Sequence, residues 1–274
     1  SSCVEFVVVD NASTDDTHDR MMPFANAGRL TYIKEPRPGL SVARNTAATV
    51  AVGEWLLYLD DDVLVESNFL DEYLAAIHSV RGASFLGGPI RPEFDEPISP
   101  AVAQIANSYA WCFSALDIGP TQRAFDPDVY PYGANMAVRR ELVHRHPFRT
   151  DLGFKHGSLV PGEETAFFHA LTSAGLIGYW IPTAAVRHRV PMARTRLSYV
   201  FRRAIGQGRE EGVKAFRSGR SSLWAIRSVL DEVFRLPFAV FKQPGATALS
   251  FFRLLMVMSL LRNAYRRQPE YTTE

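Results

Sequence analysis

Three adjacent carboxylates, Asp60, Asp61 and Asp62, are the residues of this chain whose types and spacing most clearly suggest chemistry. They close the apolar run 55–59, which is typical of a buried strand. Neighbouring carboxylates repel one another, and either a hard divalent cation or solvent must compensate their charge. Because ligands of open α/β sheets bind beyond the carboxyl ends of strands, this position favours a ligand site. A solvated acidic turn is the alternative, since Asp-rich turns are common.

Acids also stand at the ends of two other predicted elements. A second apolar strand, residues 4–9, ends at Asp10, which could equally be part of a helix cap together with its neighbours. Glu163 and Glu164 follow a Pro-Gly pair and begin a predicted helix, where the helix dipole favours negative charge. Helix capping alone would therefore explain all three acids, and a role in catalysis or binding needs further support.

The elements that must position these acids alternate along the first third of the chain. Strand, helix, strand, helix and strand follow one another over residues 4–59, which favours a parallel sheet with right-handed crossovers. The 274 residues, 47% of them hydrophobic, suit one large globular domain or one and a half. Two cysteines are too few for a disulfide framework and lack metal-site spacing, which predicts a reducing cytosol.

Charge divides the chain into an acidic part and a basic part. Residues 1–193 hold 15 Lys and Arg against 23 Asp and Glu, whereas residues 194–267 hold 15 against 4. The basic part reads as three helices, at about 195–215, 222–242 and 246–267, of which the last is too interrupted by Arg253 to span a bilayer. Since no nucleic-acid motif is present, the basic part predicts an anionic membrane surface, with self-packed helices as the alternative.

Six segments in order resemble family-2 glycosyltransferases of the GT-A fold. They are residues 8–17, 39–45, 58–63, 132–137, 161–164 and 186–188, and the resemblance extends over residues 4–215. It implies an α/β fold with a GT-A-type, mainly parallel sheet flanked by helices and a C-terminal helical segment. It also implies a catalytic domain over residues 1–193, followed by the basic helical region 194–274. Family members normally open with an additional apolar strand before residue 4, so we expect a truncated N-terminus.

The resemblance assigns a role to each candidate residue around the donor. It implies Mn²⁺ or Mg²⁺ as cofactor, with Asp62 as the metal ligand and Asp60 and His188 completing the site; Asp60 or Asp61 would meet the ribose or sugar. Asp10 would accept a hydrogen bond from the nucleotide base. The remaining substrate-binding candidates are Arg44, Asn135, Arg202, Arg203 and Gln207. A surface ion pair is the alternative for Arg44, and a solvated helix face is the alternative for the residues around 202–207.

The resemblance assigns catalysis to the acid pair Glu163 and Glu164. Glu164 aligns with the catalytic base of inverting members, which is usually Asp, and this leaves open whether Glu163 serves instead. The implied reaction moves a sugar from a nucleoside-diphosphate sugar to a glycan or lipid-linked acceptor, without nucleic acid, in the cytoplasm or on the inner face of the plasma membrane. Two alternatives are a non-catalytic nucleotide-sugar-binding fragment and a phosphatase of the haloacid dehalogenase class. The latter needs a downstream Asp pair for its metal, which is absent after Val63.

Overall fold

The chain divides into two compact units. Unit 1 consists of Ser1–Pro92 and Ser114–His188, and unit 2 of Glu93–Phe113 and Arg189–Glu274. The computed structural model describes residues 4–126, 129–155, 158–160, 162–217 and 244–264. The chain enters unit 2 for the second time after His188, whereas the domain boundary predicted from the sequence lies after residue 193. The segment Glu93–Phe113 also belongs to unit 2.

Strands are short and fall mostly in unit 1. In chain order they are β1 (Val7–Asn11), β2 (Thr31–Glu35), β3 (Trp55–Tyr58), β4 (Val63–Val65), β5 (Phe85–Gly87), β6 (Ile90–Phe94), β7 (Arg123–Ala124), β8 (Met136–Arg139), β9 (Gly153–Lys155), β10 (Ser158–Val160), β11 (Gly178–Trp180) and β12 (Val186–Val190).

Helices follow most of these strands. They are α1 (Thr17–Asn26), α2 (Leu40–Val50), α3 (Phe69–Ser79), α4 (Pro100–Ser108), α5 (Arg140–Arg145), α6 (Glu163–Ser173), α7 (Leu197–Arg217) and α8 (Pro244–Ala264), with 3-10 turns at Ala110–Phe113, Gly133–Asn135 and Met192–Thr195. Two of them begin after a glycine with positive φ, Gly39 before α2 and Gly162 before α6. A side chain is rarely compatible with that backbone, so these glycines set where the two helices start.

The main sheet is mixed. Its order is β3-β8-β5-β11-β7, and β8 runs antiparallel to both of its neighbours while β5 and β11 are parallel. Strands β3, β5 and β11 therefore share one direction, as the predicted crossovers require, and β8 is inserted between two of them. A separate parallel pair joins β1 to β2. The α/β architecture is as predicted, but the alternation of elements could not reveal the antiparallel insertion.

Helices cover both faces of this sheet because successive strand residues point to opposite sides. Phe85 on β5 packs with Phe167 and Phe168 of α6, whereas its neighbour Leu86 packs with Phe69 of α3 on the other face. Full burial of each such side chain contributes about 1.5–3 kcal/mol. These two cores fix the strands at whose ends the candidate acids stand.

Unit 2 is built around the last two helices described. Phe252 of α8 is completely buried in a cluster with residues of α4 and α7, and Ser259 donates to the backbone oxygen of Ile205 at 2.7 Å. The helices predicted at 195–215 and 246–267 correspond to α7 and α8, and the one predicted at 222–242 lies outside the described residues. Within the described ranges, no helix has the length and apolar character needed to cross a membrane.

Candidate active site

The acid run lies in the turn between β3 and β4, as the sequence predicts. Asp60 and Asp62 are partly buried, with side-chain exposures of 34% and 30%, and Asp61 is exposed. Strand β4 pairs antiparallel with β12 in a register that sets Val63 opposite His188. His188 is thereby placed within the strand, and its Nε2 lies 3.2 Å from Asp62 Oδ1.

Asp62 and His188 have the spacing of two ligands of one metal ion. Adjacent ligands of an octahedral ion with bonds of about 2.1 Å lie about 3 Å apart. The buried Nδ1 atom of His188 has no hydrogen-bond partner among the described residues. Within the same residues, however, no three His, Cys, Asp or Glu side chains are grouped so that they could hold a metal ion. Asp62 and His188 thus lie together, and the predicted third ligand, Asp60, is not brought into a group with them.

Arg44 joins the acid run to the acids of α6. Its side chain is only 4% exposed, and Nη2 donates a hydrogen bond of 2.8 Å to Glu164 Oε1. Nη2 also lies 3.9 Å from Asp60 Oδ1, and Nη1 lies 3.9 Å from Glu163 Oε1. The sequence offered Glu164 no cationic partner within its own turn, and the fold supplies one from 120 residues away.

The cation and the carboxylates around it shift each other's pKa. Burial would lower the pKa of Arg44, but the charges of Glu164, Asp60 and Glu163 outweigh it and raise the pKa. Burial raises the pKa of Asp60 to about 6; the like charges of Glu164 and Asp62 act in the same direction, and Arg44 opposes them. Arg44 therefore stays charged, and it compensates only part of the negative charge around it.

Asp10 occupies a second polar corner, at the end of β1. It is buried, and it accepts hydrogen bonds from the backbone nitrogen of Ser13 at 2.9 Å and from the hydroxyl of Tyr32. Hydrogen bonding by the Ser13 side chain, then by the Tyr32 hydroxyl and the Ser13 backbone, holds the pKa of Asp10 below its usual value, although burial acts in the opposite direction. Burial and the bond to Asp10 together raise the pKa of Tyr32 to about 12. Tyr32 was not predicted, because a tyrosine in an amphipathic strand gives no signal of this role.

Two further residues missed by the sequence analysis fix the loop that leads into α2. The side chain of Asn11 donates to the backbone oxygen of Arg37 and accepts from the backbone nitrogen of Gly39, both at 2.7 Å. Glu35 accepts bonds from Arg37 and from Thr46, and these bonds lower its pKa to about 2. The loop is therefore held to β1 and β2, and α2 carries Arg44 from this fixed start.

Asn135 lies in the core rather than at an open surface. Its side chain is 0% exposed, its Nδ2 donates to the backbone oxygens of Pro89 and Ala184, and its Oδ1 accepts from the Tyr73 hydroxyl. Both amide protons are used, so the side chain has no donor left for a sugar. We therefore revise the predicted substrate contact: Asn135 is a structural residue that ties the turn before β8 to its surroundings.

The remaining predicted residues lie in unit 2. Arg202, Arg203 and Gln207 are on α7, with Arg202 exposed and the other two partly buried. Their role at a diphosphate stays a prediction.

Comparison with known proteins identifies the family of this chain. The model of "Glycosyl transferase family 2" matches residues 2–146, which contain Asp10, Arg44 and the acid run. The chain belongs to this family. Glu163, Glu164 and His188 lie beyond the matched segment.

Two curated proteins align with this family member. It is 28% identical over 198 residues to the succinoglycan biosynthesis protein ExoM of Rhizobium meliloti, covering 70% of this chain and 56% of the relative. It is 32% identical over 69 residues to the glycosyltransferase GlyA of Streptococcus pneumoniae serotype 4, covering 25% of this chain and 10% of that protein. The chain thus spans about half or less of the length of these relatives.

Among solved structures, the fold is similar to that of the mannosyltransferase PcManGT from Pyrobaculum calidifontis, determined in complex with GDP-Man and Mn²⁺. The TM-score is 0.61 at 18% identity, over 96% of this chain and 79% of that one. At this identity the likeness extends to the fold alone, and it agrees with the predicted GT-A-type architecture.

Proposed function

We propose that this chain transfers a sugar from a nucleoside-diphosphate sugar to a hydroxyl acceptor, with inversion and with the help of Mn²⁺ or Mg²⁺. The observation that carries the proposal is the convergence, around Arg44, of Asp60 from the acid run and Glu164 from the start of α6. One group of acids can serve the donor and the other the acceptor. Membership of family 2 and the similarity to the glycosyltransferase GlyA support sugar transfer.

Asp62 and His188 would hold the metal ion, since their facing atoms are 3.2 Å apart. A divalent ion bound there would neutralise the charge that develops on the leaving diphosphate. Two protein ligands suffice, because Mg²⁺ usually binds one or two carboxylates together with phosphate oxygens and water. Asp60 and Asp61 then remain for the ribose or the sugar, as the resemblance implies.

Glu164 is the better candidate for the general base. Its side chain is 24% exposed, whereas that of Glu163 is only 4% exposed, so an acceptor hydroxyl can approach Glu164 more readily. Arg44 holds Oε1, which fixes the orientation of the carboxylate and leaves Oε2 to take the proton. The acceptor hydroxyl, once deprotonated, would attack the anomeric carbon opposite the leaving diphosphate.

Donor recognition is assigned to Asp10. Ser13 and Tyr32 keep its carboxylate oriented and charged, so that it can accept a hydrogen bond from a base N–H. We keep Arg202, Arg203 and Gln207 as candidates for the diphosphate, on the ground of their charge and polarity.

The decisive experiment supplies the 274-residue chain with UDP-, GDP- and dTDP-sugars, each with and without Mn²⁺. We expect metal-dependent release of the nucleoside diphosphate for one donor, together with a rise in thermal midpoint, because ligands stabilise the native state. A rise without release would instead identify a binding fragment. Release of phosphate from a phosphomonoester, with no response to nucleotide sugars, would favour the phosphatase.

The acceptor is proposed to be a glycan or a lipid-linked sugar, at the cytoplasmic face of the membrane. The name of ExoM, which refers to succinoglycan biosynthesis, supports a polysaccharide. The basic region 194–267 supports an anionic surface, because each Lys or Arg near such a surface contributes about 1 kcal/mol.

Vesicle flotation tests the membrane proposal. We expect the protein to float with anionic vesicles at low salt, to float less at high salt because salt screens the attraction, and to leave neutral vesicles unbound. Absence of flotation with anionic vesicles at low salt would reduce the helices of unit 2 to packing elements.

A further inference from the structure

The 3-10 turn Gly133–Asn135 passes beside the hydrogen bond between Arg44 and Glu164. A Cβ atom built on Gly133 would lie 1.7 Å from Arg44 Nη2 and 2.3 Å from Glu164 Oε1. Both distances are far below van der Waals contact, so a side chain at this position would occupy the place of the hydrogen bond itself. The backbone of Gly133 is not among those with positive φ. Glycine is therefore needed here for space and not for conformation.

The guanidinium has few other constraints. The bond from Nη2 to Glu164 is the one hydrogen bond that it makes to the described residues; the buried Nη1 has no hydrogen-bond partner among them and lies 3.9 Å from Glu163 Oε1. Nη2 also lies 3.9 Å from Asp60 Oδ1, the ring of Phe148 lies 5.5 Å from the guanidinium carbon, and the Tyr58 hydroxyl donates to the Arg44 backbone oxygen. Losing the bond to Glu164 would thus remove the one hydrogen bond that orients the end of the side chain, while the helix beneath it stays fixed.

The turn itself cannot yield. Asn135, two residues after Gly133, is held by Pro89, Ala184 and Tyr73 through three hydrogen bonds of 2.7–3.0 Å. An added methyl at position 133 must therefore be accommodated by Arg44 and Glu164, whose side chains are the movable parts.

From this geometry we infer that Gly133 is a positioning residue of the proposed transfer site. Its missing side chain leaves the space in which Arg44 holds Glu164 and lies beside Asp60. The inference rests on the proposed function for its effect on transfer, and on the geometry alone for its effect on the ion pair.

The first test is Gly133→Ala, with Gly87→Ala as the matched control. At Gly87 a Cβ would lie 2.3 Å from Pro131 Cβ, so the crowding is comparable but does not involve the charged cluster. We expect Gly133→Ala to lower kcat about tenfold or more with little change in donor KM, since it misplaces the base and not the donor. Gly87→Ala should lower the thermal midpoint and leave kcat near the wild-type value. Equal losses of kcat in the two variants would overturn the inference.

Rescue provides a sharper readout. Lysine ends in a single nitrogen and lacks the forked group that the added methyl would strike. We therefore expect the double variant Gly133→Ala/Arg44→Lys to retain about threefold or more activity above the product of the two single effects, as for residues in direct contact. Losses that simply multiply would show that Gly133 does not act through Arg44.

A measurement without substrate separates this inference from the proposed function. The coupling between Arg44→Met and Glu164→Met, neither of which can form the bond, should be about threefold or more in the equilibrium constant of urea unfolding, and it should vanish in the Gly133→Ala background. Coupling that persists there overturns the inference even in an active enzyme. Coupling that vanishes, in a wild-type protein that uses no nucleotide sugar, supports the inference and removes the proposed function.

Discussion

Asp10 and Asp60 look alike in the sequence, since each follows an apolar strand and opens a polar turn, yet the fold treats them in opposite ways. Asp10 receives hydrogen bonds from neutral donors, Ser13 and Tyr32, and its pKa is lowered. Asp60 lies among charges, 3.9 Å from Arg44, and burial raises its pKa to about 6. The ends of two similar strands are therefore different chemical environments.

The difference teaches that the partners of a carboxylate, together with its burial, decide what it can do. Neutral donors fix an anion in place and keep it charged, which suits recognition of an N–H group. A cluster in which one cation serves several carboxylates leaves negative charge uncompensated, which suits a divalent ion and proton transfer. We therefore expect changes near Asp60 to affect turnover and changes near Asp10 to affect donor affinity.

The largest effect is expected from Asp62→Asn. The substitution is nearly isosteric but removes the carboxylate beside His188, so metal-dependent transfer should fall by about a thousandfold or more, corresponding to several kcal/mol of charge stabilisation. Nucleoside diphosphate release at saturating Mn²⁺ measures it, with exposed Asp71→Asn as control. Near-normal turnover of the Asp62 variant would refute the metal role.

Glu164→Gln should come next. It keeps an oxygen to accept the Arg44 bond but cannot take a proton, so kcat should fall by roughly 10²–10⁴-fold while donor binding is kept. Glu163→Gln, the matched change at the less exposed acid, should cost much less. The reverse order would exchange the two assignments, and two active variants would place the base elsewhere.

Asp10→Asn should affect donor binding and not turnover. Replacing one acceptor oxygen by an amide donor should raise the donor KM about tenfold and change kcat by no more than a factor of about two, as loss of a hydrogen bond to a charged group predicts. Steady-state kinetics with varied donor measures the split, and Asp15→Asn, an exposed acid nearby, is the control. A fall in kcat at unchanged KM would contradict the proposed difference between Asp10 and Asp60.

The smallest effect is expected from Tyr32→Phe on stability against pH. The lowered pKa of Asp10 means that its hydrogen bonds stabilise the native state above the unfolded value near 3.8, and that this contribution is lost as the pH falls through the folded value. Tyr32→Phe should thus cost about 1 kcal/mol at neutral pH, with the difference from wild type narrowing below about pH 4.

Tyr73→Phe is the matched control for this measurement, because the Tyr73 hydroxyl bonds the neutral amide of Asn135. Its cost in urea unfolding should stay constant over the same range of pH. If the two tyrosine variants respond to pH in parallel, the acid loss does not come from Asp10.

What the sequence could predict here were features set by neighbouring residues. The acid run after β3, the acid at the end of β1 and the helices α2, α6, α7 and α8 all follow from local patterns of apolar and polar residues. Even Glu164 at a helix start is a local feature, because Gly162 before it provides the required backbone.

What could not be predicted depends on contacts between distant segments. The pairing of Arg44 with Glu164 and the bond from Tyr32 to Asp10 join residues 120 and 22 positions apart. The register of β4 on β12, which places His188 beside Asp62, is likewise set by strand pairing, and only the family resemblance indicated that these two residues belong together. The buried structural role of Asn135 was missed for the same reason. Its three hydrogen-bond partners lie 46–62 residues away, and the residues next to it give no signal of them.

These long separations also bear on how the protein folds. The hydrogen bonds of Asn135 can form only after the segments that contain Tyr73 and Ala184 have come together. Contacts so distant in sequence cost loop-closure entropy before they stabilise the chain. Helices and hairpins can form earlier from local contacts. We therefore expect the turn that accommodates Arg44 and Glu164 to be completed late in folding, so that the proposed catalytic geometry arises only in a nearly native chain.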